Sequence, residues 1–129
     1  MTQTKGRPET IAEIANRHHL KEQDWGMALA EFADELKKMN SEEISNAIFE
    51  EPMMIGELQD AYLAAVCEYI SNNNNLDAPE WCMNQDRRMK KPYIHNHGIK
   101  GLNKMLLAFS PVEFKNRMIF IDREPLRRA

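Results

Sequence analysis

The strongest constraint on the fold is a helical repeat of apolar side chains between residues 25 and 39. They recur at alternating spacings of four and three, which places them in one stripe along an α-helix. The stripe comprises Trp25, Leu29, Phe32, Leu36 and Met39. Asp24 directly precedes it and predicts the helix start, because its carboxylate can accept hydrogen bonds from the first free amides. Such a stripe must be buried, so the fold is expected to form around this helix.

Related patterns predict helices on both sides. Residues 53–70 carry the widest apolar face and predict a helix at the centre of a bundle, ended by the four asparagines at 72–75. Before it, Asn40 or Ser41 predicts the cap of a short helix with Ile44, Ile48 and Phe49 on its apolar face. With Asn40 as the cap, Glu43 would complete a capping box. Further helices are predicted from Pro8 and over 99–109, and a short helix is predicted from the Ser-Pro-Val-Glu signal at 110–113. The Asp-Ala-Pro-Glu start signal at 77–80 predicts a helix or a turn.

The ends of the chain carry weaker patterns. Residues 1–8 are polar and predict a loose terminus. Residues 118–121 read as a strand, but no partner strand is evident, so we expect an extended packed segment. A chain of 129 residues fits one domain. The prediction is an all-α fold: a compact bundle of five to six helices with an extended C-terminal segment, forming a single domain over residues 1–129.

Charge is distributed unevenly along the chain. Residues 1–79 hold 6 Lys and Arg against 15 Asp and Glu, a formal charge of −9. Residues 80–129 hold 11 against 5, a charge of +6. Two interpretations stay open: the halves pack together and neutralise each other, or one of them presents a charged surface to a partner.

Cysteine content and hydropathy indicate the compartment. The two cysteines, Cys67 and Cys82, do not make a disulfide framework. The first residues lack the apolar stretch of a secretory signal, and no apolar run approaches the roughly 20 residues that span a bilayer. We therefore expect a reduced, cytoplasmic protein that does not associate with membranes.

Few residues of the sequence suggest a catalytic or metal-binding role. His95 and His97 could bind a metal ion with Cys82 or Cys67, but zinc sites usually need three or four ligands with tight paired spacings. Exposed or helix-capping histidines explain the pair more simply. Cys82 lies near basic residues that lower a thiol pKa, which makes it the better thiol candidate. No phosphate-binding loop or serine elbow is present. We predict no catalytic residues and no cofactor, and a metal-dependent enzyme is the least favoured alternative.

The basic half contains the predicted binding residues. Its cluster comprises Arg87, Arg88, Lys90, Lys91, Lys100, Lys104, Arg127 and Arg128. Aromatic and arginine side chains are preferred interface anchors, and the predicted partner-binding residues are Trp81, Arg87, Arg88, Tyr93, Phe114 and Arg117. The aromatic residues could also stack on bases, which makes nucleic-acid binding the alternative. A pI near 5.8 is less typical of that class.

Four segments of the second half form an ordered series: DAYLAAV at 60–66, APEW at 78–81, SPVEFKNR at 110–117 and PLRRA at 125–129. The series resembles a group of short bacterial proteins of unassigned function that are often encoded beside toxin–antitoxin or nucleotidyltransferase-type toxin genes. The resemblance covers about residues 50–129 and implies no catalytic residues. We therefore predict a non-enzymatic bacterial module that binds a partner protein or a second copy, in an antitoxin-like or regulatory role, by covering the partner's working site.

Overall fold

The computed structural model describes residues 6–94 and 110–121. Within these ranges the chain is mostly helical, which confirms the predicted all-α class. Its elements are α1 (Ile11–His19), α2 (Trp25–Leu36), α3 (Ser41–Phe49), α4 (Glu57–Asn73), a 3-10 turn (Glu80–Met83), β1 (Tyr93–Ile94), α5 (Val112–Lys115) and β2 (Ile119–Phe120). The helix predicted over 99–109 lies outside the described residues.

Helix α4 lies at the centre of the core, as its sequence predicts. The consecutive residues 63–67 are all buried, so the helix is covered on more than one side. Its alanines at 61, 64 and 65 allow neighbouring elements to approach closely. The helix begins at Glu57 rather than at 53, because the Asp60 carboxylate accepts hydrogen bonds from the Ile55 and Gly56 amides and holds the preceding chain outside the helix.

Two of the predicted helix starts are confirmed in detail. Asp24 accepts a hydrogen bond from the Gly26 amide at 3.0 Å. Asn40 and Glu43 form the reciprocal capping box: the Glu43 amide donates to Asn40 Oδ1 at 2.8 Å, and the Asn40 amide donates to Glu43 Oε1 at 2.9 Å. In both cases the signal is local, since the cap and the amide that it satisfies lie within three residues.

The N-terminal segment differs from its prediction. Helix α1 begins at Ile11 with Thr10 as its cap, not at Pro8, which is buried in the core. Arg7 pairs with Asp34 at 2.9 Å, and the buried Arg17 donates a hydrogen bond to the Gly6 carbonyl at 2.6 Å. Residues 6–8 are therefore held against the bundle and do not form a loose end.

The two start signals of the second half open short elements, and only the predicted serine cap is wrong. The signal at 77–80 opens only the single 3-10 turn, without a side-chain cap. Ser110 does not cap α5, which has four residues and follows Pro111. The Ser110 hydroxyl instead bonds both the amide and the carbonyl of Ile121, each at 2.9 Å, and so joins the two ends of this segment.

The C-terminal strand has a partner that the sequence does not reveal. Strand β2 pairs in parallel with β1, with Tyr93 opposite Ile119 and Ile94 opposite Phe120. The Tyr93 amide also donates to the Met118 carbonyl at 2.8 Å. The segment is extended as expected, but the prediction that it lacks a partner is wrong. Two residues are too few for β1 to show the alternation that marks a strand.

Candidate functional site

Arg87, a predicted binding residue, lies inside the protein. Its side chain has no exposed surface. The guanidinium donates to the carbonyls of Pro52 and Asp60 and to the Glu51 carboxylate, and it lies over the Trp81 ring at 5.0 Å from the centroid. All of its partners come from this chain, so Arg87 fixes the 50–56 loop to α4.

Arg117 has the same structural role at the other end of α4. It is almost completely buried and donates to the Glu68 carboxylate at 2.7 Å. It also donates to the carbonyl of Cys82 at 2.6 Å and to that of Glu113 at 2.8 Å. These bonds hold the 3-10 turn and α5 against α4.

The aromatic candidates are also part of the core or its edge. Phe114 is fully buried and packs edge-to-face on Tyr62, with ring centroids 5.0 Å apart. Trp81 is half-buried and donates from its indole nitrogen to the Ile48 carbonyl at 3.1 Å. Tyr93 is half-buried in β1.

These positions correct the predicted binding surface. Arg87, Phe114 and Arg117 cannot reach a partner, because surrounding groups of the same chain enclose them. Arg88 is exposed, and its guanidinium reaches the Asn116 carbonyl at 3.0 Å. The loss of two arginines to the interior also weakens the basic half as a nucleic-acid surface. His95 and His97 lie outside the described residues.

The buried arginines connect the two oppositely charged halves of the chain. Arg87 and Arg117 come from the basic half, and their carboxylate partners, Glu51 and Glu68, come from the acidic half. The structure thus supports the interpretation in which the two halves pack together and neutralise each other.

A cleft of about 390 Å³ lies where α4, the 3-10 turn and the end of α5 meet. It is lined by Glu68, Cys82, Met83, Asn84, Gln85, Arg88, Asn116 and Arg117. It brings together three predicted candidates: the thiol of Cys82 and the arginines 88 and 117. Within residues 6–94 and 110–121, no three His, Cys, Asp or Glu side chains are grouped as metal ligands.

Two cysteines lie on packed elements here, Cys67 in α4 and Cys82 in the 3-10 turn, and we call them the thiol pair. Both are fully buried. The Cys67 thiol donates to the Ile48 carbonyl at 3.9 Å, and the Cys82 thiol donates to the Pro79 carbonyl at 3.0 Å. The interaction between the two thiols raises the pKa of Cys67 and lowers the pKa of Cys82. Arg117 adds to the lowering at Cys82, while burial and the Glu68 carboxylate oppose it. The sequence separates these cysteines by fifteen positions and gave no sign that they are neighbours.

A second feature that sequence reasoning missed is an exposed apolar group in the acidic segment 41–57. We call it the acidic–apolar surface: Phe49, Met53 and Met54 with the exposed carboxylates of Glu42, Glu43 and Glu50. Phe49 is 75% exposed. The segment contains no lysine or arginine.

The sequence assigned Phe49 to the buried face of α3, and this assignment is wrong. Ile44, Ala47 and Ile48 follow the helical spacing of three and four and are buried. Phe49 comes one residue after Ile48, about 100° further round the helix, and so leaves the buried stripe. The spacing of three and four within this stripe excludes position 49, so the exposure of Phe49 could have been predicted from the sequence.

No protein-family model, curated protein or solved structure matches this chain. Among the helices of the described residues, none is both long enough and apolar enough to cross a bilayer.

Proposed function

We propose that this chain is a non-enzymatic interaction module that binds a partner protein through the acidic–apolar surface. The observation that carries the proposal is the exposure of Phe49, with two methionines nearby in the chain and no basic residue between 41 and 57. Exposed apolar residues that are grouped and flanked by polar residues are characteristic of interaction sites.

The apolar residues have the character of interface anchors. Phenylalanine supplies a large contact area with few rotamers to fix, and burying it fully contributes about 1.5–3 kcal/mol. Methionine is flexible and adapts to an irregular partner surface. In this proposal Phe49 enters a pocket of the partner, and Met53 and Met54 contact the partner surface around that pocket.

The charge around these anchors defines the chemistry of the partner. Glu42 and Glu50 are exposed in the same segment as the apolar residues, and Glu50 directly follows Phe49. They favour a basic surface with an apolar pocket, and they accelerate its association at low salt. Binding would then work by occlusion, as the module covers a basic working site. The resemblance of residues 50–129 to proteins encoded beside toxin genes supports an antitoxin-like or regulatory role in a bacterial cytoplasm.

The experiment compares the wild-type chain with two variants, Phe49→Ser and Leu20→Ser, as tagged proteins expressed in the native host. Leu20 is the matched control, because it is 60% exposed and lies at the end of α1 in a different segment. We expect the wild type and Leu20→Ser to retain one stoichiometric protein that Phe49→Ser loses. Raising the salt to about 0.5 M, where the Debye length is below about 5 Å, should weaken its retention.

Three outcomes would overturn the proposal. They are recovery of the chain without a partner, equal retention by all three forms, and a dimer of this chain that Phe49→Ser dissociates. Light scattering on the purified wild type detects the dimer. Far-UV circular dichroism of each variant establishes that both substitutions leave the fold intact, as expected at exposed positions.

A further inference from the structure

We propose that the cleft beside α4 is an oxyanion site, which binds the phosphate group of a small phosphomonoester. None of the residues that line this cleft belongs to the segment 41–57, so the inference does not depend on the proposed function. The cleft volume of about 390 Å³ lies within the range of about 300–1,000 Å³ that is typical of small-molecule sites.

The first argument is the charge of the cleft. Glu68 and Arg117 neutralise each other across 2.7 Å. Arg88 is the remaining charged residue of the lining, and no carboxylate in the described part of the chain pairs with it. The carboxylate nearest in sequence, that of Asp86, does not line the cleft. An entering anion therefore meets an uncompensated guanidinium, the group that binds phosphate through two parallel hydrogen bonds.

The second argument is the placement of Arg88 between the two walls of the cleft. Its guanidinium donates to Gln85 Oε1 at 3.4 Å and to the Asn116 carbonyl at 3.0 Å. A guanidinium has five N–H donors, so three remain for a ligand. The walls are fixed as well, because Arg117 donates to carbonyls of both the 3-10 turn and α5. A side chain that is already held in this way loses less freedom when a ligand binds.

The third argument is the excess of hydrogen-bond donors from three side-chain amides of the lining. Asn84 Oδ1 accepts from a backbone amide at 2.9 Å and Gln85 Oε1 accepts from Arg88, so both amide groups offer mainly their nitrogens. Within the residues that the structure describes, the amide nitrogens of Asn84, Gln85 and Asn116 donate to no acceptor. Donors in excess suit a phosphate, which has three terminal oxygens, better than a carboxylate, which has two.

The test titrates glycerol 3-phosphate into the isotope-labelled full chain and follows side-chain amide and arginine Nε resonances by NMR. The pH is about 7.5, where a phosphomonoester carries nearly two negative charges, and the ionic strength is held constant so that screening does not change. We expect saturable shifts at the side-chain amides of Asn84, Gln85 and Asn116 and at Arg88 Nε. The dissociation constant should be about 1 mM or lower.

Three variants separate a specific site from general attraction. Arg88→Gln should weaken binding by about tenfold or more, because it removes both the charge and the paired donors. Arg88→Lys keeps the charge without the paired donors and should bind with an intermediate affinity. Lys90→Gln is the matched control, because it makes the same change of charge at an exposed side chain outside the lining. It should bind as the wild type does.

Three results would overturn the proposal. The first is a dissociation constant for the wild type above about 1 mM. The second is equal weakening by Arg88→Gln and Lys90→Gln, which would trace the effect to net charge alone. The third is binding of succinate as tight as that of glycerol 3-phosphate, which would exclude a preference for phosphate. The comparison of the two ligands uses the wild type only, so it decides the question even if a variant fails to fold.

Discussion

The buried guanidinium of Arg87 offers the most specific prediction about stability. The Arg87→Met substitution keeps an unbranched apolar side chain in the core but removes every donor. The carbonyls of Pro52 and Asp60 then lose their hydrogen bonds from the guanidinium, and the Trp81 ring loses the cation above it. The Glu51 carboxylate loses its partner as well, but that side chain is 46% exposed and can be hydrated.

The magnitude follows from these contacts. Each carbonyl left without its donor costs about 1 kcal/mol, and the cation–π contact contributes about 1 kcal/mol at a partly buried site. The exposed partner Glu51 adds about 0.5 kcal/mol or less. The expected loss is therefore about 3 kcal/mol in the free energy of unfolding. For a chain of this size that corresponds to a fall in Tm of roughly 10 °C.

Urea unfolding followed by far-UV circular dichroism measures this loss. The neighbouring substitution Arg88→Met is the matched control, because it makes the same chemical change at an exposed side chain. It should change the free energy of unfolding by about 0.5 kcal/mol or less. Equal midpoints for the two variants, at equal slopes, would refute the assignment of Arg87 as an internal clamp.

Three further predictions concern a cap, a hydroxyl and a phenol. Asn40→Ala should cost about 1 kcal/mol by urea unfolding, because it removes the α3 capping box, whereas Asn46→Ala on the exposed face of α3 should cost nothing. Ser110→Ala should cost about 1–3 kcal/mol, because the buried Ile121 backbone loses two hydrogen bonds; a loss below that range would contradict this role. Burial raises the pKa of Tyr62 to about 12. The unfolded chain ionises first, near pH 10, so the stability from this phenol is present below pH 10 and is lost as the pH rises toward 12. Unfolding measured across this interval should show a decline that is smaller in Tyr62→Phe, by up to about 2–3 kcal/mol; equal declines would exclude Tyr62 as its source.

The helices that could be predicted from the sequence are those whose signals are local. The stripe that begins at Trp25 and the capping box of Asn40 and Glu43 act within a few residues, and the structure contains both. Ser110 shows the limit of this reasoning. Its hydroxyl precedes a helix as a cap should, but it bonds Ile121, eleven residues away. A contact over that distance leaves no pattern in the neighbouring residues.

The candidate sites were harder to predict for the same reason. Arg87 and Arg88 are adjacent and chemically identical, and only the tertiary structure decides that one is buried among carbonyls and the other faces water. The thiol pair depends on the packing of the 3-10 turn on α4. The exposure of Phe49, in contrast, follows from helical geometry, because Ile44 and Ile48 define the buried stripe and position 49 lies outside it.

The structure separates the acidic residues of the first half into two groups. Some acidic residues of the first half neutralise buried arginines of the second, as Glu51 and Glu68 do. Others, such as Glu42 and Glu50, are exposed in the segment that carries Phe49. The second group is the one with which we expect a basic partner to interact.

Photocrosslinking in living cells of the native host tests that expectation most directly. A benzophenone amino acid replaces Phe49 in one form of the chain and Leu20 in another, since both positions are exposed and apolar. The proposed function predicts one discrete adduct from position 49, with a single protein that is cross-linked through a basic, apolar surface, and no such adduct from position 20. No adduct from position 49, or the same set of adducts from both positions, would contradict it.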